Sequence, residues 1–196
     1  MNENILNLKI NYSDVLVRMG ANKYRTKIDT RIETSILEMI SLSKKILQPK
    51  YALSFAEKNV KDNKIFLDDF CINSKDIFKL LENSNLVCGL IATIGFSIDT
   101  KISYLLERKD IMSAFILDSI GSVAIEELVE NICNDIATQY GTTTMRFSPG
   151  YGDWAISNQA GFLEWLGAGK LGIVLSPAFQ MVPRKSVSAL LGITKK

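Results

Sequence analysis

The stretch from about Asp110 to Gln139 limits the architecture more than any other part of the chain. Ile125, Leu128, Val129, Ile132, Cys133 and Ile136 fall at spacings of three and four, which predicts one apolar stripe along a long helix. Glu126, Glu127, Glu130, Asn131 and Asp135 occupy the opposite face, where solvent is the ordinary surrounding. A stripe of that length needs an equally apolar neighbour. Leu86 to Ile94 is an apolar run bounded by turn residues, which predicts a buried central strand.

The remaining segments alternate helix and strand. Ser13 or Asp14 is expected to cap a short helix, Val15 to Met19, that stops at Gly20. Thr30-Arg31-Ile32-Glu33 has capping-box spacing, and Ile32, Ile36, Ile40 and Leu47 continue a helical face until Pro49 ends it. Tyr51, Leu53 and Phe55 alternate with smaller residues, and Lys64 to Leu67 returns after the turn Lys61-Asp62-Asn63, which predicts a hairpin. Helices are expected from Asn73 or Ser74 to Leu81, from Ser97 to Glu107 and from Ser157 to Leu166, the last ended by Gly167. Strands are expected at Thr142 to Arg146 and after Pro183. No linker or repeat divides the sequence, so residues 1–196 are expected to form a single α+β domain: a twisted, largely antiparallel sheet with several long helices.

Composition removes several kinds of function. Lys+Arg 23 against Asp+Glu 21 leaves no strong excess of charge, and the basic pairs Lys44-Lys45, Arg184-Lys185 and Lys195-Lys196 are scattered. Nucleic acid is therefore not an expected partner. The amino terminus lacks the pattern of a signal peptide. The longest apolar stretch, Leu86 to Ile98, is interrupted by Gly89, Thr93, Gly95 and Ser97 and falls short of the ~20 residues a membrane helix needs. A cytoplasmic protein without a membrane segment is the expectation. Cys71, Cys88 and Cys133 have neither the count nor the spacing of a disulfide framework or zinc motif, and read as small buried hydrophobes. There is no histidine, hence no Ser-His or Cys-His pair and no histidine ligand for cobalt or iron from this chain. Neither a catalytic residue nor a metal site is expected.

The segment "MRFSPGYGDW", residues 145–154, concentrates the chemistry. Arg146 offers a planar fork of donors suited to a carboxylate or phosphate. Pro149 stiffens the chain, while Gly150 and Gly152 let backbone groups approach a ligand. Tyr151 and Trp154 add aromatic faces, so the loop suits a zwitterionic or cationic small molecule. The same residues also fit a plain turn whose arginine pairs with a surface carboxylate and whose aromatics pack on the core. A second cluster lies at Ser176 to Ser188. Pro183 and Arg184 there precede Ser186 and Ser188, which either line a polar groove or face solvent on an edge strand.

Arg146-Phe147-Ser148-Pro149-Gly150-Tyr151 resembles the Arg-x-x-x-Gly-Tyr signature of the activation domain of cobalamin-dependent methionine synthase. Phe179-Gln180-Met181-Val182-Pro183 and Ser186-Val187-Ser188 resemble that domain's Phe-x-Met-x-Pro and Ser-Val-Ser. Asp118 and Gly121-Ser122-Val123-Ala124 resemble the helix before the signature, so the matched region spans residues 115–192. The resemblance implies binding of S-adenosylmethionine and support for the reductive methylation of cob(II)alamin. The cobalamin would be carried by a separate methionine synthase or other corrinoid protein, with a flavodoxin-like electron donor. By position, Arg146 would grip the methionine carboxylate, Ser148 would offer backbone contacts, and Gly150 with Tyr151 would shape the adenosine and sulfonium pocket. Asp153, Trp154, Met181, Pro183, Ser186, Ser188 and Glu126 are the further candidates for pocket or partner contacts. Gly152-Asp153-Trp154 departs from the family's usual continuation, and Asp153 is the carboxylate expected near the ligand amine. The alternative is a non-catalytic protein that docks on a corrinoid methyltransferase and has lost S-adenosylmethionine binding.

Overall fold

The computed structural model describes residues 3–21 and 28–194; the basic pair Lys195-Lys196 lies outside them. Its helices are α1 (Tyr12–Arg18), α2 (Thr30–Ile46), α3 (Lys75–Leu80), α4 (Ser97–Glu107), α5 (Ile111–Tyr140) and α6 (Gln159–Trp165). Its strands are β1 (Lys50–Glu57), β2 (Asn59–Lys61), β3 (Lys64–Leu67), β4 (Phe70–Ile72), β5 (Leu86–Thr93), β6 (Thr142–Thr143), β7 (Val174–Leu175), β8 (Met181–Val182) and β9 (Ser186–Thr194). No described helix is long and apolar enough to cross a membrane.

From Val87 to Thr93 every residue of β5 is buried, so the strand requires a neighbour on each edge and a layer on each face. β1 and β9 supply the edges in a four-stranded antiparallel sheet of order β1-β5-β9-β6, with Leu53 opposite Leu90 and Leu90 opposite Ala189. Side chains alternate between the two faces. Cys88, Leu90 and Ala92 of β5 and Ala189, Leu191 and Ile193 of β9 face α1, α2, α4 and α5. Val87 and Ile91 of β5 and Leu190 of β9 face the other way, onto α3, α6 and β3. The fold is therefore α+β with a largely antiparallel sheet, as the sequence implies.

The predicted stripe of α5 is present: Ile125, Leu128, Val129, Ile132 and Ile136 are buried and Cys133 is half-buried. The amino-terminal half is buried more widely, at Ala114, Ile116, Leu117, Ser119, Ile120, Gly121 and Ser122, because α4 covers it as well. The Asp110 side chain caps this helix by accepting from Ser113 N–H.

Three local expectations change. The cap of α2 is Asp29, whose carboxylate accepts from Arg31 N–H at 2.8 Å, one residue before the expected Thr30. Helix α1 begins at Tyr12, ahead of the expected Ser13 or Asp14 cap. The strand carrying Tyr51, Leu53 and Phe55 does not pair with Lys64–Leu67. It takes the edge of β5, while β3 folds back on the short β2. The Asp62-Asn63 turn between them has positive φ at both residues, 51° and 57°, as a tight hairpin requires.

Candidate functional site

The expected strand from Thr142 to Arg146 shortens to Thr143, and the reason is a local slip in register. Thr143 lies opposite Ile193 and Phe147 opposite Leu190, so the chain uses four steps where β9 uses three. Such a bulge bends the strand and re-aims its side chains. Met145 and Arg146 are expelled outward, and beyond Phe147 the chain leaves β9 altogether. Ser148 keeps one tie, its hydroxyl donating to Ser188 O at 2.7 Å.

Along this seam opens a cleft of about 980 Å³. Glu126, Arg146, Ser148 and Tyr151 line it, together with Gln159, Met181, Arg184, Ser186 and Ser188. Its size falls among ordinary small-molecule sites. Arg146 sits at the α5 side, where one guanidinium nitrogen lies 3.2 Å from Glu126 Oε2. These side chains are 38% and 61% exposed, and an ion pair so open to water is worth about 0–1 kcal/mol. A ligand carboxylate can replace Glu126 on the guanidinium at little cost, leaving Glu126 to face a ligand cation. Tyr151, also in the lining, is 68% exposed.

The corner between them is built from backbone. Gly150 has φ +95° and its N–H donates to Trp154 O at 2.7 Å; Tyr151 N–H donates to Ser148 O and Trp154 N–H to Tyr151 O. A side chain at Gly150 would adopt an unfavourable φ and press on Ile156. The next residues fasten the corner to α3. Asp153 accepts from the Ser74 hydroxyl, from Lys75 N–H at 2.7 Å and from Asp76 N–H at 3.3 Å. Asp76 in return accepts from Asp153 N–H at 3.1 Å. The Ser74 hydrogen bond, then that of Lys75, holds the Asp153 carboxyl below the usual carboxylate range.

The opposite wall is fixed by charge. Arg184 bonds Asp99 of α4 through its backbone N–H at 2.8 Å and through Nε at 3.2 Å. Lys185 Nζ reaches Asp118 at 2.9 Å and Ser122 Oγ at 2.8 Å, both on α5. Ser186 donates to Pro183 O at 2.8 Å and lies 2.9 Å from Thr93 Oγ1.

The structure thus gathers Arg146, Ser148, Tyr151, Glu126, Met181, Ser186 and Ser188 around one cleft. Gly150 shapes the corner without lining it, and Pro183 is buried behind the wall. Trp154 stands in the core against Phe162, with ring centroids 5.1 Å apart, rather than at the cleft. Asp153 is bound to α3 rather than directed at the Arg146 end. The two serines lie on the part of β9 that β6 does not reach, since β6 pairs only with Ile193 and Thr194, yet both are buried rather than turned to solvent. Both sequence readings of the loop hold in part, since Arg146 pairs with a surface carboxylate and Trp154 packs inside, yet the loop still walls a cleft.

Gln159 was not among the sequence candidates. The signal lay in α6, where Gln159, Phe162, Leu163 and Leu166 share one helical face, so a carboxamide occupies a position suited to an apolar residue.

No family model matches the sequence, and no curated protein matches it. Among solved structures, the MetH reactivation domain bound to AdoHcy has a TM-score of 0.75 to this chain, covering 97% of it and 76% of that domain at 15% identity. The likeness establishes the shared fold.

Proposed function

We propose that this chain, as a single domain, binds S-adenosylmethionine in the Arg146 cleft and serves as the reactivation module of a separate cobalamin-bearing methionine synthase. The observation that carries this reading is the placing of Arg146, Glu126 and the Gly150-Tyr151 corner on one cleft. The fold shared with a domain solved with AdoHcy bound adds support.

Each group has a role that follows from its chemistry. Arg146 receives the ligand carboxylate on its fork of donors. Glu126, released from that fork, accepts from the ligand ammonium. The exposed ring of Tyr151 presents a π face to the sulfonium, which is attracted to it as any cation is. Ser148 brings the chain close to the nucleoside, at the corner that Gly150 shapes. When bound, S-adenosylmethionine would supply a methyl group to a corrinoid carried by the partner and reduced by a flavodoxin-like donor, leaving S-adenosylhomocysteine in the cleft. No proton has to be moved by this chain, which agrees with a sequence that contains no histidine. Orientation is what the protein contributes.

Titration calorimetry tests the reading. S-adenosylmethionine should bind, and Arg146→Ala should weaken binding by about 1.5–3 kcal/mol, the range of a hydrogen bond to a charged group. The melting temperature should not move, since the pair lost is exposed. Absence of binding to the parent protein overturns the proposal; if it then still forms a complex with a corrinoid protein, the docking alternative takes its place.

A further inference from the structure

Two polar side chains that line the cleft have no hydrogen-bond partner among the described residues, and one of them is sealed from solvent. Ser188 is 2% exposed, and its hydroxyl meets no hydrogen-bonding atom. Gln159 is 4% exposed, and its amide bonds to none of the described residues. Trp154 Nε1 and Ser84 Oγ are also unpartnered, but neither residue lines the cleft. An unpaired buried hydroxyl costs about 1–3 kcal/mol, so Ser188 requires a reason, whereas the Gln159 amide keeps contact with the cleft it lines. The glutamine could be exchanged for leucine or methionine without changing the helix pattern, so the fold itself has no need of it.

Position supplies the reason. Ser188 shares the sheet face of Leu190, the side on which α6 packs, and Gln159 opens α6. The Arg146–Glu126 pair lies toward α5, on the other side of the sheet. The cleft is therefore polarised. The Arg146–Glu126 side carries charge, while the α6 side holds a carboxamide with both a donor and an acceptor to offer.

Resting on the S-adenosylmethionine reading, we infer that Gln159 reads the nucleobase of the ligand and makes the cleft selective for adenine. Its carboxamide oxygen accepts from the exocyclic amino group while its N–H donates to a ring nitrogen, the bidentate match between a primary amide and adenine. The Ser188 hydroxyl is the second polar contact at that end. A site with a buried acceptor rejects a ligand lacking the donor, because the acceptor is then left unpaired.

The test uses two ligands and two proteins. S-adenosylhomocysteine is compared by calorimetry with the analogue whose 6-amino group is replaced by hydrogen, on the parent protein and on Gln159→Met. The parent should prefer the amino ligand by about tenfold or more, as loss of one buried hydrogen bond predicts. Gln159→Met should bind the two within about twofold and melt no lower than the parent, since it breaks no hydrogen bond to the described residues and keeps the volume. The same preference in both proteins, or none in the parent, overturns the inference while leaving the S-adenosylmethionine reading in place. A parent protein that binds neither ligand overturns that reading, and this inference with it.

Discussion

The two faces of the sheet β1-β5-β9-β6 are closed by different means. Toward α5 the filling is aliphatic and comes from long periodic helices: Ile36 and Ile40 of α2, Ile98 and Ile102 of α4, Ile120, Leu128 and Ile132 of α5. Toward α6 a group of aromatic rings joins the aliphatic filling, and the face is assembled from short pieces. Phe70, Phe147, Trp154, Phe162 and Trp165 stack or meet edge-on with centroids 5.1 to 6.4 Å apart. A repeating helix stripe closes its face along the whole strand, whereas separate turns meet at seams. The candidate site lies at such a seam, where the chain after Phe147 departs from β9. Irregular construction is what leaves room for a ligand there.

The sharpest way to break that contrast is to remove one large side chain from each face. Trp154→Ala should cost about 3–5 kcal/mol of stability, and it should also abolish ligand binding in the protein that remains folded, because Trp154 supports the Gly150 corner. Ile120→Ala should cost about 2–5 kcal/mol yet leave the affinity of the folded fraction unchanged. Denaturant unfolding gives the first quantity and calorimetry well below the melting temperature gives the second. An Ile120→Ala protein that loses ligand as completely as Trp154→Ala would show that the two faces are not independent in function.

A smaller effect is expected where the aromatic face is tightest. A Cβ on Gly89 would run into Trp165 and Leu166, so the indole lies directly on the β5 backbone. Gly89→Ala should cost about 1–3 kcal/mol by overpacking, measured again by denaturant unfolding. An alanine tolerated without loss would mean that this face is loosely filled, and the contrast in packing would weaken.

The same division explains what can be read from the sequence. The stripe on α5, the apolar β5 and the Ser74 cap of α3 are repeats or pairs of near neighbours, and each is visible within a window of a few residues. The partner of β1 is not, because β3 follows it closely while β5, its true neighbour, begins 29 positions after β1 ends. The Arg146 corner was legible through its glycines, proline and arginine. Its fastening to α3 was not: Asp153 reaches Ser74 across 79 positions, and no local pattern records that distance. Gln159 lay in view as a polar residue on an apolar helix face, a signal that gains meaning only once the cleft beneath it is known.

Acidity and alkalinity should separate the two faces without a large change in packing. On the α6 side, hydrogen bonds from Ser74 and Lys75 depress the Asp153 carboxyl. Unfolded chains protonate this group near pH 3.9, above its folded value, so its contribution is complete above that pH and fades as pH falls through the depressed value. On the α5 side, burial first and the neighbouring Cys133 second push the Cys88 thiol up to about 12. Its unfolded counterpart ionises near pH 8.5, so the buried neutral thiol contributes fully below that pH and loses its contribution as pH rises toward 12. Melting temperatures across pH should therefore show a shallower acid limb in Asp153→Asn with the alkaline limb unchanged, and the reverse in Cys88→Ala. Acid sensitivity that survives Asp153→Asn intact would place its origin elsewhere, and the fastening of the corner to α3 would then contribute little to the stability of the fold.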